Sequence, residues 1–210
     1  MSTSKPIPSP LFDGLQQMLS HEDYQPNLPK AFQQDYEHAK NFLLSYRGSL
    51  DTFNSYRRDI ERFLQWCLLI ENKTLTQIRR VEFEKFLDFC QNPPSSWIAT
   101  AVENRFISEK DGQKIPNKKW RPFVVKISKV DTKSGKEPNK KDYDLSEKAF
   151  KVLFAIIGSF YNYLIQEEYT LVNPTFLIRQ KSKYFRKRQT ATPIRRLSEL
   201  QWGYVIETAE

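Results

Sequence analysis

The chain has 210 residues, a length that suits one domain of ordinary size with extensions or two small domains. Hydrophobic residues make up 39% of it and aromatic residues 14%, whereas six glycines leave little scope for Gly-rich phosphate-binding loops and favour a mostly helical fold.

The net charge is +8. Residues 105–141 hold twelve Lys and Arg against four acids, and residues 174–196 hold eight with no acid, so the remainder is acidic. Two such blocks indicate a directed contact with a polyanion, with a solvated charged surface as the alternative.

Cysteine and histidine usage argues against a metal site or a cofactor. Cys67 and Cys90 are isolated in hydrophobic sequence, as is typical of reduced core thiols in a cytoplasmic protein. His21 and His38 have no companions at ligand spacing. The N-terminal residues lack the apolar run of a signal peptide and no window approaches a membrane span, so we expect a cytoplasmic protein without a membrane partner.

The first half of the chain predicts an arm followed by three helices. Residues 1–30 contain five prolines and predict a flexible, mostly irregular arm with one short helix near residues 11–19. Apolar residues at helical spacing predict helices over about 32–46 and 50–71. Two residues, Ser49 and Asp51, are candidates for the cap of the second of these helices.

A third helix is expected after Thr76, which we predict as its cap. Its apolar residues are Val81, Phe83, Phe86, Leu87 and Cys90. Two consecutive prolines at positions 93 and 94 end it.

Residues 93–144 differ in character because they lack a sustained helical period. Phe123, Val125 and Ile127 occupy alternate positions and predict a short strand, as half of a hairpin closed near Asp111. The polar residues that follow this strand are too rich in turn formers to order well.

The last part of the chain predicts a helix, a stop, a basic strip and a second helix start. Asp144 or Ser146 begins the helix, and Asn173 with the proline after it prevents its continuation. Ser198 then caps a final segment.

Three segments occur together in a recognisable order. They read SLDTFNSYRRDIERFLQWC at 49–67, LSEKAFKVLFAIIGSFYNYLIQEEYTLVNP at 145–174 and PIRRLSELQWGYVIE at 193–207. Each is weak alone, but the ordered set resembles the core-binding domain of tyrosine recombinases, the phage-integrase and Xer family, followed by the first helix of the catalytic domain.

The resemblance implies a mainly α fold, a four-to-five-helix core-binding (SAM-like) bundle with a small β-hairpin-like insertion. The implied division is a flexible arm at 1–30, the core-binding domain at 31–178 with a basic insertion at 93–144, a basic interdomain linker at 179–196, and the start of a truncated catalytic domain at 197–210. Family members form a C-shaped clamp on DNA, and the linker passes along the backbone. A linker with eight cations suits that contact because phosphate neutralisation releases condensed counterions.

Family members present the second and fourth helices to the major groove. On the second helix, Arg58, Arg62 and Gln65 are predicted to lie opposite the apolar stripe, and on the fourth helix Lys148, Lys151 and Asn162 are predicted to do so. The alternative is a solvated polar face balanced by neighbouring acids. The predicted DNA-binding residues are Thr52, Arg57, Arg58, Arg62, Lys118, Lys119, Arg121, Lys148, Lys151, Arg179, Lys181, Lys183, Arg186, Lys187, Arg188, Arg195 and Arg196.

The insertion departs from compact family members, which join these helices by a much shorter segment. It is either an extra strand pair that grips DNA through its lysines and arginines or a subunit contact in a synaptic assembly. The family's Tyr nucleophile and its Arg, Lys and His/Trp partners are expected beyond residue 210. The chain alone is therefore expected to bind but not to cut DNA, and no catalytic residue is predicted in it.

The implied function is the DNA-binding portion of a site-specific tyrosine recombinase or integrase. The implied partners are duplex DNA with an inverted-repeat recombination site and further copies of the chain, which in the full-length protein assemble as a tetrameric synapse. The alternative is a stand-alone helical adaptor that binds RNA or an acidic protein through the basic insertion. A complete metal-dependent or hydrolytic enzyme finds no support in ligand clusters, nucleophile elbows or phosphate loops.

Overall fold

The computed structural model describes residues 6–109, 114–126, 135 and 137–178. This part of the protein is mainly helical, which confirms the expected fold class at that level. Its α-helices are α1 (Leu15–Leu19), α2 (Lys30–Leu44), α3 (Leu50–Trp66), α4 (Arg80–Gln91) and α5 (Glu147–Gln166).

Serine side chains cap α3 and α5, the two helices whose sequences carry the family resemblance. The hydroxyls of Ser49 and Ser146 each accept a hydrogen bond from the backbone N–H three residues on, so both predicted caps are confirmed. The predicted extent of the first of these helices is also confirmed, because α3 continues as a π-helical turn over Cys67–Glu71. Asn72 ends that turn in the left-handed region, with φ of 51°.

The start of α4 differs from the prediction. Thr74 and Gln77 form a capping box around a separate 3₁₀ turn, Leu75–Gln77. The longer helix therefore begins only at Arg80, and the predicted cap at Thr76 is wrong. Val81, predicted as part of the apolar stripe, is half exposed.

The insertion forms two small sheets. Strands β2 (Phe106–Ser108) and β3 (Lys114–Pro116) pair antiparallel, as predicted for a hairpin closed near residue 111, although residues 110–113 themselves lie outside the described part. Strand β1 (Ile98–Ala99) pairs in parallel with β4 (Phe123–Val124). The prediction that the strand at Phe123 belongs to the hairpin is therefore wrong, because its partner comes from the segment after α4.

Aromatic side chains join the helices at Phe63 of α3. Its ring lies 4.8 Å from that of Phe86, 6.2 Å from that of Phe83 and 5.9 Å from that of Tyr161, centroid to centroid. All four rings are fully buried. Because two of these neighbours lie on α4 and one on α5, the central core forms where three helices meet.

The N-terminal segment belongs to this core. Leu11, Phe12, Leu15 and Met18 are all buried, and the short helix predicted near residues 11–19 is present as α1. Its apolar residues therefore pack into the domain, which differs from the flexible arm predicted for residues 1–30. Irregular backbone can be buried here because Glu61 of α3 accepts hydrogen bonds from the N–H groups of Leu11 and Phe12.

α5 is the most apolar helix of the described residues. By length and composition alone it could cross a membrane, which corrects the expectation that no window approaches a span. Such a helix is weak support for a span, because the core helix of a soluble protein meets the same criterion. In this fold Leu153, Ile157, Phe160 and Leu164 bury one side of α5 in the core.

A buried carboxylate links α2 to two other parts of the chain. Asp35 accepts a hydrogen bond from the backbone N–H of Leu75 at 2.9 Å and another from the hydroxyl of Tyr169 at 2.6 Å. Burial raises the pKa of Asp35 from 3.8 to about 6, although both hydrogen bonds act in the opposite direction.

The raised pKa predicts that Asp35 makes folding less favourable at neutral pH than in mild acid. Between its ordinary pKa and the folded value of about 6, the folded state holds a proton that the unfolded state has lost, so stability falls as pH rises through this window. We expect Asp35 to contribute a decrease of up to about 3 kcal/mol in the free energy of unfolding from roughly pH 4 to pH 7. The change is measured by denaturant unfolding of wild type and of Asp35→Asn at several pH values between about 4 and 7. Parallel pH profiles for the two proteins would contradict the assignment.

Candidate nucleic-acid interface

Arg58 is the cation of α3 that faces solvent. Its side chain is 46% exposed, and its Nε and Nη2 donate to the two carboxylate oxygens of buried Asp59 at 2.9 and 3.0 Å. These hydrogen bonds raise the pKa of Arg58 above its ordinary value. The guanidinium is therefore charged and held in one orientation at the surface.

Arg57 instead turns towards the N-terminal segment. Its Nη1 donates to the backbone oxygen of Asp13 at 2.6 Å, and its guanidinium carbon lies 5.5 Å from the centroid of the Phe53 ring. Burial is the largest cause that lowers the pKa of Arg57, to about 10, so the group stays charged at neutral pH. Arg57 holds the segment against α3, which is a structural role and not the predicted groove contact.

Arg62 joins α3 to the insertion. Its Nε and Nη2 both donate to the backbone oxygen of Pro122, at 2.8 and 2.6 Å, and its Nη1 pairs with Asp59 at 3.1 Å. The guanidinium also covers the ring of Phe123 at 4.7 Å, and only 11% of the side chain is exposed. Gln65 is buried too and donates to the backbone oxygen of Ser9 at 2.7 Å.

The prediction of an exposed polar face on α3 therefore holds for Arg58 but is wrong for Arg62 and Gln65, which are covered. Arg62 and Gln65 satisfy backbone carbonyls of irregular segments that cover this side of the helix. Such carbonyls need donors when they are buried, and polar helix residues supply them.

The loop at residues 117–122 presents the exposed lysines of the insertion. Lys118 and Lys119 are exposed, while Trp120 after them is buried. Asn117 fixes the loop, because its Nδ2 donates to the backbone oxygen of Asn104 at 2.8 Å and its Oδ1 accepts from the N–H of Lys119 at 2.9 Å. The two lysines therefore extend from a hydrogen-bonded turn.

Arg121 shapes the same loop. Its Nη1 donates to the backbone oxygens of Lys118 and Trp120, at 2.7 and 2.6 Å, and the residue is half-buried. These contacts close the turn around the guanidinium. Arg121 thus keeps its positive charge beside the two lysines while it stabilises their backbone.

The contact between Arg62 and Pro122 places this loop beside α3. Pro122 follows Arg121 directly, and Arg58 lies one helical turn before Arg62, a Cβ separation of about 6 Å. We call the group formed by Arg58, Lys118, Lys119 and Arg121 the α3–loop surface, because the loop ends against Arg62, one turn from Arg58.

The start of α5 adds cations beside a groove. Lys148 and Lys151 are exposed and line a groove of about 710 Å³, whose other residues include Asn92 at the end of α4 and Tyr143. Lys151 also pairs with Glu147 at 2.5 Å. The ring of Tyr143 lies 5.5 Å from that of Phe123, which is covered by the guanidinium of Arg62, so the groove lies beside the part of α3 that holds the loop.

Thr52 lies in the first turn of α3. Its Oγ1 donates to the hydroxyl of Ser49 at 2.9 Å, which strengthens the start of the helix. Successive helical residues are about 100° apart, so Thr52 and Arg58 lie about 120° apart around the axis. The helix geometry therefore does not bring Thr52 together with the α3–loop surface.

Two cations of the basic block at 105–141 serve the fold. Arg105 is ion-paired with buried Glu61, and Lys114 pairs with Asp13 at 2.7 Å. A charge count cannot separate such cations from free ones, so the sequence missed their role. The remaining predicted positions lie outside the described residues, namely Arg179, Lys181, Lys183, Arg186, Lys187, Arg188, Arg195 and Arg196.

Comparisons of the chain with protein-family models, with curated proteins and with solved structures found no match. The family resemblance therefore remains an expectation from the sequence. The function has to be inferred from the α3–loop surface and the cations near it.

Proposed function

We propose that residues 31–178 are the DNA-binding, SAM-like core-binding domain of a site-specific tyrosine recombinase, and that the α3–loop surface holds duplex DNA. The observation that carries the proposal is the pair of hydrogen bonds from Arg62 to Pro122. They hold the end of a basic loop, distant in sequence, against α3 at Arg62, one helical turn from Arg58. A fixed group of exposed cations suits the regular array of phosphates on a duplex.

The cations of this surface suit two kinds of DNA contact. Lys118 and Lys119 are exposed point charges on flexible stems, which can follow the phosphate backbone without reading sequence. Arg58 is held by Asp59 and offers a planar group, which suits a phosphate or a guanine edge. Positioning by the loop and readout by the helices would together give a sequence-specific grip.

In this role the described residues bind DNA and do not cleave it. Copies of the protein would assemble on an inverted-repeat site in the cytoplasm, each gripping one half-site. Buried Tyr161 and half-buried Tyr163 lie within α5, and burial raises the pKa of both hydroxyls, which suits packing residues rather than nucleophiles.

Binding measurements on the 210-residue chain test the proposal. The affinity for a duplex of about 30 bp is measured between about 50 and 200 mM NaCl, and we expect log K against log salt to fall with a slope near −5, for about six phosphate contacts. Single-stranded RNA of the same length and a poly-glutamate peptide serve as competitors. A flat salt response, or tighter binding of either competitor, would overturn the proposal and favour an adaptor for RNA or an acidic protein.

Removal of the loop lysines should change the salt dependence in a defined way. Lys118→Ala with Lys119→Ala is expected to make the slope shallower by about 2, since each phosphate contact contributes about 0.9. The matched control is Arg80→Ala with Lys85→Ala, which removes two exposed cations of α4 that pair with acids. The control should keep the wild-type slope, and equal changes in both variants would show a nonspecific charge effect instead.

A further inference from the structure

Asp59 of α3 is a buried carboxylate that binds two arginines of the same helix. The residue is 1% exposed. Its Oδ1 accepts hydrogen bonds from the Nε of Arg58 at 2.9 Å and from the Nη1 of Arg62 at 3.1 Å, and its Oδ2 accepts one from the Nη2 of Arg58 at 3.0 Å. Both oxygens therefore contact cations, which offsets the cost of burying a charge.

The two arginines extend from Asp59 in different directions. Arg62 reaches into the fold, where its Nε and Nη2 donate to the backbone oxygen of Pro122 at the end of the basic loop. Arg58 reaches solvent, with 46% of its side chain exposed. A continuous chain of hydrogen bonds thus runs from Arg58 through Asp59 and Arg62 to the end of the loop.

Asp59 holds Arg58 by one edge of its guanidinium. The hydrogen bonds use Nε and Nη2, a two-point contact that fixes the plane of the group as well as its position. The N–H groups of Nη1 lie on the other side of the guanidinium from Nε and remain able to donate to a phosphate oxygen. Arg58 is therefore ordered before any ligand binds.

Ordering of Arg58 in advance has a larger effect on phosphate binding than the negative charge of Asp59. Immobilising a long side chain on binding weakens affinity by roughly 2- to 12-fold, and prior ordering avoids this loss. Repulsion between a carboxylate and a phosphate about 8 Å apart in water at about 0.1 M salt changes affinity by only about 1.5-fold. The net effect of Asp59 should be tighter binding.

We infer that Asp59 is a positioning residue of the α3–loop surface, a buried acid that contacts no DNA yet strengthens DNA binding because it holds Arg58 ready for a phosphate. The inference rests on the proposed DNA-binding function. Charge alone predicts the opposite, since Asp59→Asn makes this region of the protein more positive by one unit and should then bind DNA more tightly. The sign of the effect distinguishes the two.

Affinity for a duplex of about 30 bp at about 0.1 M NaCl tests the inference. Asp59→Asn keeps the size of the side chain but loses its charge and one acceptor, and it should weaken binding by about 3-fold. The matched control is Glu147→Gln, which removes an acid that pairs with Lys151 on α5. The control should bind as tightly as wild type or slightly more tightly. Tighter binding by Asp59→Asn would overturn the inference.

The same substitution in an Arg58→Ala background separates positioning from a general effect on the fold. Without Arg58 there is no side chain for Asp59 to orient towards DNA, so adding Asp59→Asn should leave affinity unchanged or raise it by about 1.5-fold. An equal loss of affinity in both backgrounds would show that Asp59 acts only through the fold, and would overturn the inference.

The Nε–H signal of Arg58 in NMR spectra of the free protein measures the ordering without DNA. Relaxation of this signal should show a rigid side chain in wild type and a mobile one in Asp59→Asn. Equal mobility in the two proteins would contradict the inference. If wild type binds no duplex, the proposed function fails and the inference fails with it. If wild type binds duplex and Asp59→Asn does not weaken that binding, only the inference fails.

Discussion

Glu61→Ala is expected to lower the free energy of unfolding by about 3–5 kcal/mol, because it breaks a buried ion pair by removing one partner. Glu61 is 1% exposed and accepts hydrogen bonds from the backbone N–H groups of Leu11 and Phe12 and from the guanidinium of Arg105. Its removal leaves two buried N–H groups without their acceptor and the half-buried Arg105 without its carboxylate partner, with the backbone oxygen of Phe12 still accepting from its Nη2. Equilibrium unfolding in urea measures the change.

Glu84→Ala is the matched control for this loss. Glu84 pairs with Arg80 one turn away on the surface of α4, so its removal should cost about 0.5 kcal/mol or less. The double variant Glu61→Leu with Arg105→Met removes both charges and should be less destabilised than Glu61→Ala. Equal small losses for Glu61→Ala and Glu84→Ala would show that Glu61 does not join the N-terminal segment and the insertion to α3.

Phe12→Ala is expected to cost about 3–5 kcal/mol, because it removes a buried aromatic ring and leaves a cavity. Phe12 is 0% exposed and stacks on Tyr36 of α2, with ring centroids 5.1 Å apart and planes 5° from parallel. A loss of this size is at least a fifth of the whole stability of a typical domain, which is about 5–15 kcal/mol. The same urea measurement applies.

Ile7→Ala is the control for Phe12→Ala within the same segment. Ile7 is 60% exposed, so its truncation should change stability by about 0.5 kcal/mol or less. A flexible arm would make both substitutions nearly silent. A result near zero for Phe12→Ala would therefore contradict the packing of the N-terminal segment on α2.

Helix periodicity and capping residues predicted the main helices well. The apolar stripe of α3, its cap at Ser49 and the cap of α5 at Ser146 all follow from local sequence, and the structure confirms them. Local rules failed where distant segments meet. The alternation that begins at Phe123 predicts a strand but does not indicate Ile98 as its partner, and a proline-rich N-terminus gives no sign that Glu61 would satisfy its backbone.

The candidate site could be predicted only in part, because distant segments meet there as well. The sequence predicts Lys118, Lys119 and Arg58 as DNA-binding cations, and in the structure all three are exposed. It predicts the same role for Arg57 and Arg62, yet each donates to a backbone carbonyl of a segment that the helical pattern could not place. A helical wheel identifies the polar residues of a helix but does not show whether they contact water or a buried backbone carbonyl.

The central claim is that α3 and the insertion loop contact duplex DNA as one surface. It is tested most directly by backbone amide spectra of the 210-residue chain during addition of a duplex of about 30 bp. We predict that the amide signals of Arg58, Lys118 and Lys119 shift together with one affinity, while those of Arg80 and Lys85 on α4 stay in place. Shifts at Arg58 without shifts in the loop, or shifts centred on α4, would contradict the claim.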